Sequence, residues 1–318
     1  MNLCIIAPMK EGIYMSFYEI GENYFSFIKI KLKNSTYQIN KKKIELYIIN
    51  PNRDKNIYKF DTRDFIEWEI FIEKFGFSYN YKSSLFYLFK EFLDYCINFY
   101  NLKENVAIKI GNFRNDEIIK SGNIWSYDDF KKFISVIDNK VYNCLFKLLY
   151  FTGLRKGEAL ALTFNDIDYE GKKLHINKTI TRYLDSNNNK IITSPKTKSS
   201  NRIISLDNKL IEELKELQKE YNNFNNDMFI FGGNNSISFT TLERKKNYYC
   251  KLAKVKQIKI HEFRHSHACL LFKNKIEIED ISYRLGHSSI SMTMDTYLKY
   301  LPKNEKRVIS TLNQLRLN

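Results

Sequence analysis

The chain has 318 residues, 43% hydrophobic and 27% charged, a balance that excludes a disordered chain and a length that predicts two or three domains. Its 51 Lys and Arg against 36 Asp and Glu give a formal net charge of +15, which fits a polyanionic partner or the Lys and Asn bias of an AT-rich genome. Five scattered cysteines (Cys4, Cys96, Cys144, Cys250, Cys269) without a CxxC pair support neither a disulfide framework nor a zinc knuckle, and no segment reaches the ~20 apolar residues of a membrane span, so a soluble cytoplasmic protein is expected.

Residues 1–55 are predicted to form a small basic β-rich segment. Ile28, Ile30 and Leu32 alternate with Lys29, Lys31 and Lys33, and a second run, Ile44 to Ile49, follows Lys41-Lys42-Lys43; such strands either line a solvated sheet edge or touch DNA. From Thr62 the spacing turns helical, with Phe65, Trp68, Ile72 and Phe75 on one face, a break at Gly76 and a second helix around Leu85 to Phe99, giving a helical domain over 56–112. Between Asn105 and Ser121 the apolar period fades while Lys109, Arg114 and Lys120 accumulate beside Gly111. A linker is expected at 113–122.

The remainder, 123–318, opens with Ser126 as a helix cap for the amides near Asp129, ahead of Phe130, Phe133, Ile134 and Ile137. The apolar stretch Val141 to Phe151 predicts a buried helix ended at Gly153. Strand-like runs follow (Leu174 to Thr181, Lys190 to Ser194, Arg202 to Leu206), and helices dominate from Leu210. The predicted fold class is mainly α with a small β-sheet.

The reactive residue types are unevenly spread. Four of the 5 histidines, His261, His265, His267 and His287, lie with Arg264, Arg284 and Tyr297 in one stretch. His261-Glu262-Phe263-Arg264-His265 spells HExxH, in which two histidines one turn apart hold zinc. Arg264, however, sets a fixed cation beside one ligand, and no third ligand follows at a zincin spacing. His261 and Arg264, three apart, instead share a face and can reach one phosphate, the arginine as a bidentate donor and the histidine as a proton relay. A second arginine, Arg155, stands in Thr152-Gly153-Leu154-Arg155-Lys156-Gly157-Glu158, at a helix start where an anion is favoured. His265 and His267 are read as surface or core residues.

Taken in order, TGLRKGE, HEFRH and LGHSSISMTMDTY resemble the catalytic domain of tyrosine recombinases of the phage-integrase type over about residues 120 to 300. The helical segment before them is similar to that family's core-binding domain in length and placement, while residues 1–55 carry no motif that extends the likeness.

The resemblance implies a site-specific recombinase that cleaves and rejoins DNA through a 3′-phosphotyrosyl bond, without metal, ATP or cofactor. It implies that Arg155 and Arg264 bind the scissile phosphate, that His287 hydrogen-bonds it, that His261 assists proton movement, and that Glu158 orients its neighbours. Lys196, with Lys198 as runner-up, protonates the departing 5′ oxygen, and Tyr297, ten residues after His287, is the nucleophile. It further implies double-stranded DNA sites held between two domains, a homotetramer on DNA, DNA-bending accessory proteins, no membrane, and a gene carried by a bacterium, phage or other mobile element. A type IB topoisomerase and a non-catalytic DNA-binding protein are the alternatives. The tail stripe Val308, Leu312 and Leu315 either docks on a neighbouring copy or packs on its own domain.

Overall fold

The computed structural model describes residues 14–115, 123–184, 190–194, 198–298 and 309, with backbone alone at 182–184, 198 and 295–298. The chain forms two compact units, Met1–Ile119 and Lys120–Asn318. The described residues are mostly helical, with two small sheets. Among the described residues no helix is long and apolar enough to cross a membrane.

The first unit corrects the expectation of a β-rich start. Its described part begins with helices α1 (Phe17–Lys31) and α2 (Asn34–Ile44), the latter running on into one π-helical turn, Glu45–Ile49. Helix wins because the buried set of α1 is Phe17, Ile20, Gly21, Tyr24, Phe25 and Ile28, a three-and-four spacing that gives one helical face. The Ile28-Ile30-Leu32 alternation is coincidental: Ile28 is 7% exposed and Ile30 is 84% exposed. Ser16 and Glu19 close a capping box that fixes the start of the helix. Two further helices, α3 (Thr62–Glu73) and α4 (Tyr79–Tyr100), complete the predicted helical pair. Phe89 of α4 meets Phe65 and Trp68 of α3 at ring separations of 5.2 and 4.8 Å, within the range of favourable aromatic pairs.

The stretch where the apolar period fades lies partly inside the helical domain expected over 56–112, and it is ordered there. Asn105 caps a short helix, α5 (Val106–Ile110), whose Val106 and Ala107 are buried. Phe113 packs 5.8 Å from Trp68. Ordered core therefore continues past Asn105, because two apolar side chains and one ring anchor a segment that has no longer period.

The second unit wraps its core around α7 (Lys140–Thr152), the buried helix that ends at Gly153 as predicted. Before it lies α6 (Tyr127–Ser135), capped by Ser126, and after it the short α8 (Lys156–Ala161). Strands β1 (Ile167–Asp168), β2 (Lys173–Ile176) and β5 (Arg202–Ser205) form an antiparallel sheet in the order β1-β2-β5, while β3 (Thr179–Leu184) and β4 (Lys190–Thr193) form a hairpin. Helices α9 (Asn208–Lys219), α10 (Phe239–Leu252), α11 (Ile260–Lys273), α12 (Ile278–Leu285) and α13 (Ile290–Leu298) follow. Phe133, Phe146 and Phe263, from α6, α7 and α11, meet at 5.0 to 6.0 Å. That contact fixes α11 against α7, and through it the residues either side of Phe263.

Candidate active site

Helix α11 presents three histidines and an arginine in different ways. Phe263 points into the core, so the next residue, Arg264, is drawn in with it and is 2% exposed. Its Nη1 donates to the Gly153 carbonyl at 2.9 Å, capping the end of α7 with a cation, as the helix dipole favours. His261, in the first turn, is exposed. Its ring lies 4.9 Å from that of His265, nearly perpendicular, so the HExxH histidines stand one turn apart as their spacing demands. Among the described residues no group of three or more His, Cys, Asp or Glu is placed to hold a metal ion.

Arg155 is the residue just before α8. Its backbone N–H donates to Glu158 Oε2 at 3.0 Å, its Nη1 to Glu158 Oε1 at 2.7 Å, and its Nη2 to the Gly286 carbonyl at 3.1 Å. The guanidinium, 36% exposed, is thus held from behind and open in front. Glu158 is 3% exposed at its side chain. Burial pushes its carboxyl up, but the Arg202 and Arg155 cations outweigh this and hold it below the usual carboxylate range.

His287 follows Gly286, the left-handed residue that ends α12. Its Nδ1 lies 2.6 Å from the hydroxyl of Thr293, which is wholly buried; this pairing leaves Nε2 for a ligand. Burial, then the cations Arg264 and Arg155, pushes its pKa down to about 3. Partial burial of its ring, followed by His265, Arg264 and Arg155, takes His261 down to about 4. The structure therefore brings Arg155, Glu158, His261, Arg264 and His287 into one electrostatic neighbourhood whose histidines are neutral at pH 7. Such a centre favours an anion.

Two expected participants are seen in part or not at all. Tyr297 lies in α13, which packs against α11 and α12; its side chain is outside the described set. Lys196 lies outside the described residues, and Lys198 is described by backbone alone, in the turn Lys198–Ser200. The tail residues Val308, Leu312 and Leu315 also lie outside.

Sequence reasoning missed Arg202 and noted Arg284 without giving it a role; the two form a second layer of arginines. Arg202 donates to both Glu158 oxygens, from Nη1 at 3.3 Å and Nη2 at 3.1 Å. Arg284 donates to the Ser205 and Phe151 carbonyls and to His267 Nε2, at 3.0, 3.1 and 3.2 Å. His267 is accordingly a core residue, with a pKa pushed down to about 3 by burial and then Arg284. One signal was available: Arg202 is in phase with buried Ile204 in β5, and a cation on the inward face of a strand calls for a buried partner.

The family description Phage integrase family matches residues 126–303, more than half of the chain. The chain belongs to the phage integrase family. This integrase is 30% identical over 312 residues to the ICEBs1 integrase of Bacillus subtilis (strain 168), spanning 95% of this chain and 83% of that relative. In fold it is similar to the Tn1549 transposon integrase solved with a circular intermediate DNA, with a TM-score of 0.78, 17% identity, and 95% and 99% of the two chains covered. It is also similar to the lambda integrase tetramer bound to a Holliday junction, with a TM-score of 0.67, 15% identity, and 90% and 78% covered. This integrase is a tyrosine-type site-specific DNA recombinase, an enzyme of DNA strand cleavage and transfer.

Proposed function

We propose that this recombinase exchanges strands at the ends of a mobile element by transient attachment of DNA to Tyr297. The observation that carries this reading is the convergence of the Arg155 and Arg264 charges on two neutral histidines, His261 and His287, ahead of the helix that bears the tyrosine. A phosphodiester is the anion that such a centre fits: two guanidinium groups take its non-bridging oxygens and oppose the charge that grows there in the transition state.

The reaction balances without an external energy source. The Tyr297 oxygen loses its proton, with His261 assisting, and attacks phosphorus; the new O–P bond replaces the bond to the 5′ oxygen, which leaves as a hydroxyl after taking a proton from Lys196. Attack by a 5′ hydroxyl on the phosphotyrosine reverses these steps and joins a new strand. His287 donates to the phosphate and Glu158 orients Arg155. The arginines and lysine supply the positive charge that a metal pair supplies in other phosphoryl transfers.

The ICEBs1 and Tn1549 relatives bear the names of mobile elements, and the Tn1549 integrase was solved with a circular intermediate DNA; an excised circle of that kind is the substrate we assign to this chain. The first unit serves as the core-binding domain. Assembly is as four copies around a junction, as in the lambda complex, on the nucleoid and with DNA-bending proteins as accessories.

The test is covalent trapping on a nicked suicide duplex, resolved on a denaturing gel. Tyr297→Phe is expected to keep DNA binding and lose the adduct entirely, since only the attacking oxygen is removed. An adduct formed by Tyr297→Phe but not by Tyr300→Phe overturns the assignment.

A further inference from the structure

The three anchors that aim Arg155, on Glu158, the Gly286 carbonyl and, at 3.4 Å, the Ser200 hydroxyl, all lie against one buried residue. The guanidinium of Arg155 is tied to Glu158 and to the Gly286 carbonyl. Arg202, 2% exposed at its side chain, grips Glu158 with two nitrogens. Its Nε donates to the Arg284 carbonyl at 2.7 Å, two residues before Gly286, and its Nη1 also donates to the Ser200 carbonyl at 3.2 Å. A Cβ on Gly286 would lie 3.0 Å from Arg202 Cδ and 3.0 Å from Nη1, so the turn rests on the arginine side chain. Glu158 accepts four hydrogen bonds, two from Arg155 and two from Arg202, which fills the acceptor capacity of a carboxylate.

We infer that Arg202 is a positioning residue for the cleavage reaction, which sets the direction of the Arg155 guanidinium through Glu158 and the Gly286 turn without touching the phosphate itself. The inference rests on the proposed role of Arg155. Only a planar fork can do this, because it meets both carboxylate oxygens at once and fixes the rotation of the Glu158 side chain, whereas a lysine ammonium supplies the same charge from a single point. Charge alone is not what is being used.

A charge-free substrate separates orientation from folding. Cleavage rates are measured with full-length protein on a nicked duplex carrying its natural cleavage site, and on the same duplex with a methylphosphonate at the scissile position, which lacks one charged non-bridging oxygen. On the ordinary phosphodiester, Arg202→Lys is expected to bind DNA within about threefold of wild type and to cleave roughly 100-fold more slowly, the scale of one lost transition-state contact. On the methylphosphonate the deficit should shrink to under about tenfold, since there is less charge for Arg155 to oppose. The double variant Arg155→Ala/Arg202→Lys should be no slower than Arg155→Ala, because a residue acting through another adds nothing once that other is gone.

Arg202→Gln, whose shorter, uncharged amide stops near the position of the arginine Nε and cannot reach both Glu158 oxygens, serves if the lysine variant does not fold, and the same contrast between substrates is expected of it. An equal deficit on both substrates, additive losses in the double variant, or unimpaired cleavage by Arg202→Lys each overturns the inference. A failure of Arg155→Ala itself to lose more on the phosphodiester than on the methylphosphonate overturns the role given to Arg155 instead.

Discussion

The two units of the chain solve burial in opposite ways. Among the described residues, those of the first unit that are both polar and buried are Ser16, Asn52 and Asn105, all uncharged, whereas the second unit buries Glu158, Asp166, Arg202, Lys246, Arg264 and His267. An interior of Phe17, Phe65, Trp68, Phe89 and Phe92 holds itself together by contact and aromatic geometry. An interior that takes in ions must satisfy each one, because an unpaired buried charge is far costlier than an exposed one. The unit that carries the candidate site therefore holds charged groups that stability alone does not demand.

Three tests, using four substitutions, probe this contrast. The largest effect is expected in the aromatic unit, where Phe89, wholly buried, contacts Phe17, Phe60, Phe65 and Trp68. Phe89→Ala should cost about 3–5 kcal/mol in denaturant unfolding; a cost below about 1 kcal/mol would mean that the rings are loosely packed and the contrast is overstated.

The middle effect belongs to the charged unit and carries a pH signature. His267 has a folded-state pKa near 3, depressed from 6.5, so the unfolded chain takes up a proton that the folded one refuses. Its contribution is present above about pH 6.5 and is lost as pH falls through that value towards 3. His267→Gln should lower stability at pH 7 by about 1–2 kcal/mol, and the gap from wild type should close in melts taken between pH 6 and pH 4. A gap that stays constant with pH would show that His267 is not the titrating group.

The test whose outcome includes the smallest single effect, that of Ile30→Ala, concerns the helical character of the first unit. If α1 is a helix, Ile28→Ala is costly while Ile30→Ala changes stability by no more than about 0.5 kcal/mol. A strand with alternating faces would put the two residues on one side and make their costs similar. Equal losses in the two variants would therefore restore the strand.

What could be read from the letters divides along the same line. Caps and helix ends are legible: Ser126 starts α6 and Gly153 ends α7, since each acts through its immediate neighbours. The motif residues Arg155, Glu158, His261, Arg264 and His287 stand out because their spacing is local and their order distinctive. Arg202 does not, and Arg284 is noted only without a role, because the partners that define them are distant, at 44 and 82 positions for Arg202 and 17 to 133 for Arg284, and nothing local says which arginine is buried. The β expectation for residues 1–55 fails for a related reason: the alternation that carried it starts at Ile28, after Phe17, Ile20, Tyr24 and Phe25, so most of the helical face is left out and two-residue alternation is what remains.

Two hydrogens decide whether this arrangement can exist. At Gly153, with φ +66°, a methyl group in place of one hydrogen would stand 2.6 Å from Leu285 Cδ2 and 2.8 Å from the His267 ring; at Gly286, with φ +67°, it would stand 2.8 Å from the Ser199 carbonyl. Both positions also need a backbone conformation that side chains resist. Each glycine adjoins a turn that carries a site residue, Arg155 in one case and His287 in the other. A mutation to alanine, the smallest change a gene can make there that adds bulk, would thus strain the turn and displace the candidate site residue beside it. Tolerance to substitution in this enzyme should accordingly track free space along these two turns more closely than distance from the DNA.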